Sequence, residues 1–206
     1  MLAAGAVFSQ AAMAAPPQKE SVSFKGDNAS VWVSHYEPGV GPSPDISCGT
    51  ITDVNISAMS NVAHGGPGKP TVSTEISAVV YSYDSCTGET LFIGYGVLPK
   101  AGFVSDGTKS ATINGTIDML DWYYGGSTAP LSVSLTLTGV GDASQSNYHS
   151  NDRWGNMSTN TRWKGSYREA TASGDVVWMG ADLMESSSSS ASLSTVSSGY
   201  RVMTKY

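Results

Sequence analysis

Tyr148, His149, Asp152, Arg153 and Trp154 crowd into one polar stretch, residues 141–160, GDASQSNYHSNDRWGNMSTN. These are types that a binding surface uses. An indole stacks on a sugar ring, while a carboxylate and a guanidinium hydrogen-bond its hydroxyls. The stretch is too polar for a core strand and longer than most connections, so a loop is expected there. A second aromatic group, Trp122, Tyr123 and Tyr124, follows Asp121 and precedes Gly125-Gly126. It reads as an aromatic tip on the same rim as the long loop. Each group also has a purely structural reading. Trp154 would fold back to cap the domain, and residues 122–124 would be cross-strand packing near a sheet end.

Other chemistry is poorly represented. His35, His64 and His149 lack the i, i+2 or HExxH spacing of a transition-metal site. No G-x-S-x-G elbow marks a nucleophile. The chain holds 17 acids, but none stands out as one of a glycosidase pair. No EF-hand pattern appears. The sequence therefore assigns no catalytic residue, cofactor or metal. Asn28, Asn55, Asn114 and Asn156 begin N-x-[ST] triplets, close to chance in so Ser/Thr-rich a chain.

Composition narrows the elements that must position these groups. The 206 residues suit a single domain, and 40% of them are hydrophobic, enough for a core. Only 14% are charged, with Gly, Ser and Thr filling the gap. A helical protein would carry more Glu, Lys and Arg on its wet faces. The net charge of −6 repels phosphate backbones, and no run of Lys and Arg offsets it locally, so nucleic acid is not an expected partner. No apolar stretch long enough for a transmembrane helix follows the N-terminus.

Residues 1–14 read as a secretory signal whose basic start is missing. Leu2 to Phe8 is a short apolar run, and Ala12-Met13-Ala14 is an A-x-A cleavage site. The expected mature domain is residues 15–206, secreted or periplasmic. In such a compartment Cys48 and Cys86 are expected to form a disulfide. The flanking pattern agrees. Val54, Ile56 and Ala58 alternate with polar residues, as do Ile76, Ala78 and Val80. Folding the two strands about residue 67 sets Val54 on Val80, Ile56 on Ala78 and Ala58 on Ile76. Cys48 then falls opposite Cys86.

Further strands are expected at Thr90–Leu98, with a bend at Gly94 and Gly96, at 111–119 and at 131–138. Hairpins are read at Ser21–Lys25 with Ala29–Tyr36, about Gly26-Asp27-Asn28. Others are Thr161–Thr171 with Val176–Met179, about Gly174-Asp175, and Ala191–Val196 with Tyr200–Thr204, about Ser198-Gly199. Ser186–Ser190 is expected to be a surface loop. The fold class is all-β: one antiparallel β-sandwich or flattened barrel of about nine or ten strands, without significant helix beyond the signal.

The run Arg168-Glu169-Ala170-Thr171-Ala172-Ser173-Gly174, followed by Val176 and the closing Ser198-Gly199-Tyr200, resembles an uncharacterised group of bacterial secreted proteins. The turn 84–88 and strand 111–114 are similar too. That resemblance implies one exported β domain and no particular activity. On the Arg168 side of this strand the neighbours are small, so Arg168 is expected to meet a buried acid or loop carbonyls, or else to anchor an anion.

The reading that fits best is a non-catalytic binding module for a glycan or another surface protein. A self-associating surface protein is the main alternative, because Ser/Thr-faced strands guard their edges poorly. A carbohydrate-active hydrolase is a further one. The alternating C-terminal Tyr200, Val202, Thr204 and Tyr206 would suit an outer-membrane barrel, but no aromatic girdles accompany them.

Overall fold

A computed structural model of the chain describes residues 18–39, 48–66, 68–100, 102–122, 125–126, 128–185 and 187–204. The signal-like segment 1–14, Tyr123 and Tyr124 lie outside them. The described residues form one antiparallel sheet of eleven strands with no helix. The strands are β1 (Gln18–Pro38), β2 (Gly49–Gly65), β3 (Thr71–Asp84), β4 (Thr90–Pro99), β5 (Gly102–Ser105) and β6 (Ser110–Asp121). β7 (Thr128–Gly139), β8 (Ser144–Trp154), β9 (Met157–Trp178), β10 (Ala181–Asp182) and β11 (Ser188–Thr204) complete it.

Eight of these strands close a ring, in the order β9-β11-β1-β2-β3-β4-β6-β7 and back to β9. Its seam is β4 against β6, where only Gly94↔Asp121 and Tyr95↔Leu120 pair. The bend expected at Gly94 and Gly96 is a close crossing. A Cβ at Gly96 would lie 2.7 Å from the Asp118 carbonyl oxygen and 2.9 Å from Met119 Sδ. β5 pairs with residues 111–114 at the other end of that edge of β6. The inward residues fill the ring: Val31, Val33, Val54, Ile56, Ile76, Ile113, Ile117, Met119, Leu131, Leu135, Leu137 and Leu193 are fully buried. The fold is thus all-β and antiparallel, as the alternation implies, and its one sheet is ring-like without being a regular barrel.

The β2–β3 hairpin has the expected register. Val54↔Val80, Ile56↔Ala78 and Ala58↔Ile76 pair, and Cys48 and Cys86 are disulfide-bonded with their Cα atoms 5.4 Å apart. Beside the bridge, Asp84 Oδ1 accepts hydrogen bonds from the Thr87 N–H (2.7 Å), the Cys86 N–H (2.9 Å) and the Thr87 hydroxyl (3.0 Å). The Thr87 N–H is the largest of the influences that lower the Asp84 pKa below its ordinary 3.8, followed by the Cys86 N–H and the Thr87 hydroxyl. A carboxyl whose pKa is depressed on folding adds stability above its unfolded value and loses it as pH falls through the folded value. The melting temperature is therefore expected to fall below pH 3.8, and less so in Asp84→Asn. Parallel acid melts of the two proteins check this; identical slopes would refute it.

Three expected hairpins are instead single long strands. β1 runs through Gly26-Asp27-Asn28, β9 through Gly174-Asp175 and β11 through Ser198-Gly199. Ser188–Ser190 likewise lie in β11 and not in a loop. At Gly26 and Gly199 a partner strand on each side satisfies the backbone, so a glycine there does not end the strand. The structure also replaces the loop expected over 141–160. A hairpin stands there, β8 and the start of β9, turning at Gly155 with φ +58°. Its strands are polar because both of their faces meet solvent: no residue from 144 to 167 is buried.

Candidate functional site

The long strands overrun the ring. Beyond it, β8, residues 157–167 of β9, 196–204 of β11, 18–25 of β1 and the end of β2 form a single-layer wing. Directly paired residues share a face, and neighbours along a strand alternate. The pairings therefore assign every wing residue to one side. One side continues the inner wall of the ring, and the other continues its outer wall.

Across the inner side, the rows read Asn147–Lys164–Ser197–Lys25, then His149–Arg162–Gly199–Ser23, then Asn151–Asn160–Arg201–Ser21, then Arg153–Ser158–Met203–Lys19. Arg168 lies on the same side at the ring, paired with Leu193. Seven of the chain's 11 Lys and Arg residues thus share this face: Lys19, Lys25, Arg153, Arg162, Lys164, Arg168 and Arg201. Among the described strand residues, the one acid on this face is Asp27, at the ring end. All of the seven except the half-buried Arg168 are exposed, and none makes an ion pair with a described acid. Like charges directly opposite would destabilise the sheet. Here Lys164 and Lys25 are separated by Ser197, roughly 10 Å apart at two strand spacings.

Amides fill the spaces between the cations. The Asn160 and Asn151 side-chain nitrogens lie 2.9 Å and 3.3 Å from His149 Nε2, and Asn160 also donates to the Asn151 carbonyl oxygen. An amide nitrogen only donates, so Nε2 is the acceptor in both contacts. Arg153, Arg162, Arg201, Asn151 and Asn160 border an open groove of about 600 Å³. Lys25, Lys164, Gln145 and Asn147 border a smaller one of about 310 Å³ nearer the ring. Such a surface offers fixed positive charge and hydrogen-bond donors to an extended anion.

The residues singled out in the sequence divide between the two sides. His149 and Arg153 belong to the cationic side. Tyr148, Asp152 and Trp154 belong to the other, where Asp152 accepts from the Ser150 hydroxyl at 2.6 Å. Arg153 and Trp154, read together in the sequence, are adjacent on β8 and therefore lie on opposite sides of the sheet. Trp154 does not fold back as a cap either; it is 77% exposed. The shared rim also fails. Trp122 is exposed beside Tyr95, ring centroids 5.9 Å apart, at the end of the ring remote from the wing. Between the wing and that end runs the length of β9 from 167 to 178, roughly 35 Å of strand.

Lys19, Lys25, Arg162, Lys164 and Arg201 escaped the sequence reading, as did the local cation cluster they create. A trace existed: Ser158, Asn160, Arg162, Lys164, Ser166 and Arg168 are the even positions of one strand, all polar and half of them basic. Arg168 itself reaches a loop carbonyl, as one of its expected roles required: Nε donates to the Gly141 oxygen at 2.8 Å.

No family model and no curated protein matches the chain. Among solved structures, an acetoacetate decarboxylase-like enzyme from Sphingomonas wittichii RW1 is similar at a TM-score of 0.30 and 10% identity, over 90% of this chain and 92% of that one, a likeness too weak to say anything of this chain's fold or chemistry.

Proposed function

We propose that this protein is an exported, non-catalytic binding module that holds an acidic polysaccharide on the cationic side of its wing. The observation that carries the reading is charge segregation. A chain of net charge −6 gathers seven cations on one sheet face without neutralising them. Like charges collected this way repel one another, and a polyanion laid along the rows relieves that repulsion. Export is supported by the signal-like residues 1–14 and by the Cys48–Cys86 bridge. Outside the cell, uronate- and sulfate-bearing polysaccharides are available polyanions. Single-stranded nucleic acid fits less well, because its sites combine cations with stacking rings on one surface. Here Tyr148, Trp154 and Trp163 are on the opposite side.

The test is retention on immobilised heparin and on polygalacturonate, with a salt series. Binding is expected to weaken with salt, as counterion release demands. Arg162→Gln with Arg201→Gln is expected to weaken it about tenfold or more, at an unchanged melting temperature. Tighter binding to DNA or to anionic vesicles than to either polysaccharide would overturn the reading, as would no retention at low salt.

A further inference from the structure

The other side of the wing is as one-sided as the first. Its central rows read Ser146–Gly165–Val196–Gly26, then Tyr148–Trp163–Ser198–Phe24, then Ser150–Thr161–Tyr200–Val22. None of these residues is charged. Among the described residues this side carries no Lys or Arg; its acids, Glu20, Asp152 and Glu169, fall outside the three rows. Two rings lie down over glycines. A Cβ on Gly165 would meet the Trp163 indole, at 2.8 Å from Cζ2, and one on Gly26 would meet the Phe24 ring at 3.1 Å. The glycines let the rings lie flat, leaving a smooth aromatic surface. Val22, Tyr148, Trp163 and Tyr200 all remain exposed on it.

We infer that a second copy of this chain covers this surface, wing against wing. A single sheet layer with an apolar face normally buries it against another layer, and a second wing supplies one. Four strands over nine residues and β2 over its last five, at about 4.8 Å by about 3.3 Å per residue, give roughly 650 Å² per copy, of which the three uncharged rows make up about 480 Å²; the whole approaches the ~800 Å² per partner of a standard stable interface. Charge favours the same arrangement. Face-to-face packing through the three uncharged rows leaves both cationic sides outward and far apart. A two-fold contact of this kind is self-complementary, and Ser198, on the middle strand of the wing, sits near its centre. The dimer would present two copies of the cationic face, so a long polyanion could engage both.

Sedimentation velocity of the whole chain across a dilution series tests this, together with crosslinking by a short bismaleimide. A monomer–dimer equilibrium is expected. Trp163→Gln with Tyr200→Gln is expected to raise its dissociation constant about tenfold or more. Ser198→Cys is expected to crosslink between copies, and Ser197→Cys, one residue away on the cationic side, is not. Because the two cysteine variants differ only in side, their contrast does not depend on how the aromatic variant folds. Arg162→Gln with Arg201→Gln is expected to leave the dimer intact, which separates this inference from the polysaccharide reading. A monomer at every concentration would overturn it. So would crosslinking through position 197 and not 198, or a monomer whose tryptophan fluorescence responds only to lipid vesicles.

Discussion

Gly174→Ala is expected to destabilise the protein by about 3–5 kcal/mol. Two effects add. Gly174 has φ +115°, a backbone conformation that a side chain strongly disfavours. Space is also lacking: a Cβ there would fall against the Ser134 carbonyl oxygen, with the Leu135 Cα 3.3 Å away. Both neighbours are backbone of β7, directly paired with β9, so neither can rotate aside. Moving them would shift Leu135, which is fully buried in the ring. Gly199→Ala is the matched control. No atom lies within 4 Å of a Cβ built on Gly199, and its backbone needs no special conformation. That variant is expected to melt within a degree or two of the parent, or slightly above it. Chemical denaturation of both variants is the measurement. Equal midpoints would show that β9 does not press on β7 at Gly174.

The same strand explains why the run from Arg168 to Gly174 stands out in the sequence. Arg168 bridges to the loop carbonyl of Gly141. Ala170 and Ala172 turn inward, small enough to pack against the core where β9 passes from wing to ring. Gly174 then lets β7 approach closely. Each residue in that alternating set answers a local packing demand, and those demands account for the pattern of the run.

How much was legible follows from how local the cause is. The β2–β3 register could be read because alternation, a loop-forming segment and two cysteines all lie within one hairpin. The three long strands could not. Gly26 and Gly199 look like turns in sequence, and only partner strands drawn from distant segments keep the chain extended through them. For residues 141–160, polarity reads as a loop, although a strand exposed on both faces is polar for the same physical reason. The cationic face was the least legible feature. Its members come from 19–25, 153–168 and 201, and pairing of β1, β8, β9 and β11 alone brings them together. Charge counted along the chain dilutes such a cluster, whereas charge counted per face reveals it.

Removing the Cys48–Cys86 bridge is expected to lower stability by about 4 kcal/mol, and the melting temperature by roughly 10 °C. The bridge spans a sequence separation of 38 residues. In the unfolded chain that closure removes loop entropy worth about 4 kcal/mol in the chain-entropy model. In the native state the bridge asks little of the backbone. The cysteines face each other because β2 and β3 are in register, a register set by Val54, Ile56 and Ala58 against Val80, Ala78 and Ile76. The Asp84 turn on the far side of Cys86 is likewise held by its own hydrogen bonds. The stabilisation should therefore act mostly on the unfolded chain and leave the folded ring unaltered. Cys48→Ala with Cys86→Ala should unfold at lower denaturant, with an unchanged far-ultraviolet spectrum and a steeper dependence on denaturant, since the freed chain exposes more surface. Cys86 is exposed, so a reductant should reach the bridge in the folded protein and reproduce the effect. A loss below about 1 kcal/mol would mean that the β2–β3 hairpin persists in the unfolded chain, leaving the bridge little freedom to remove.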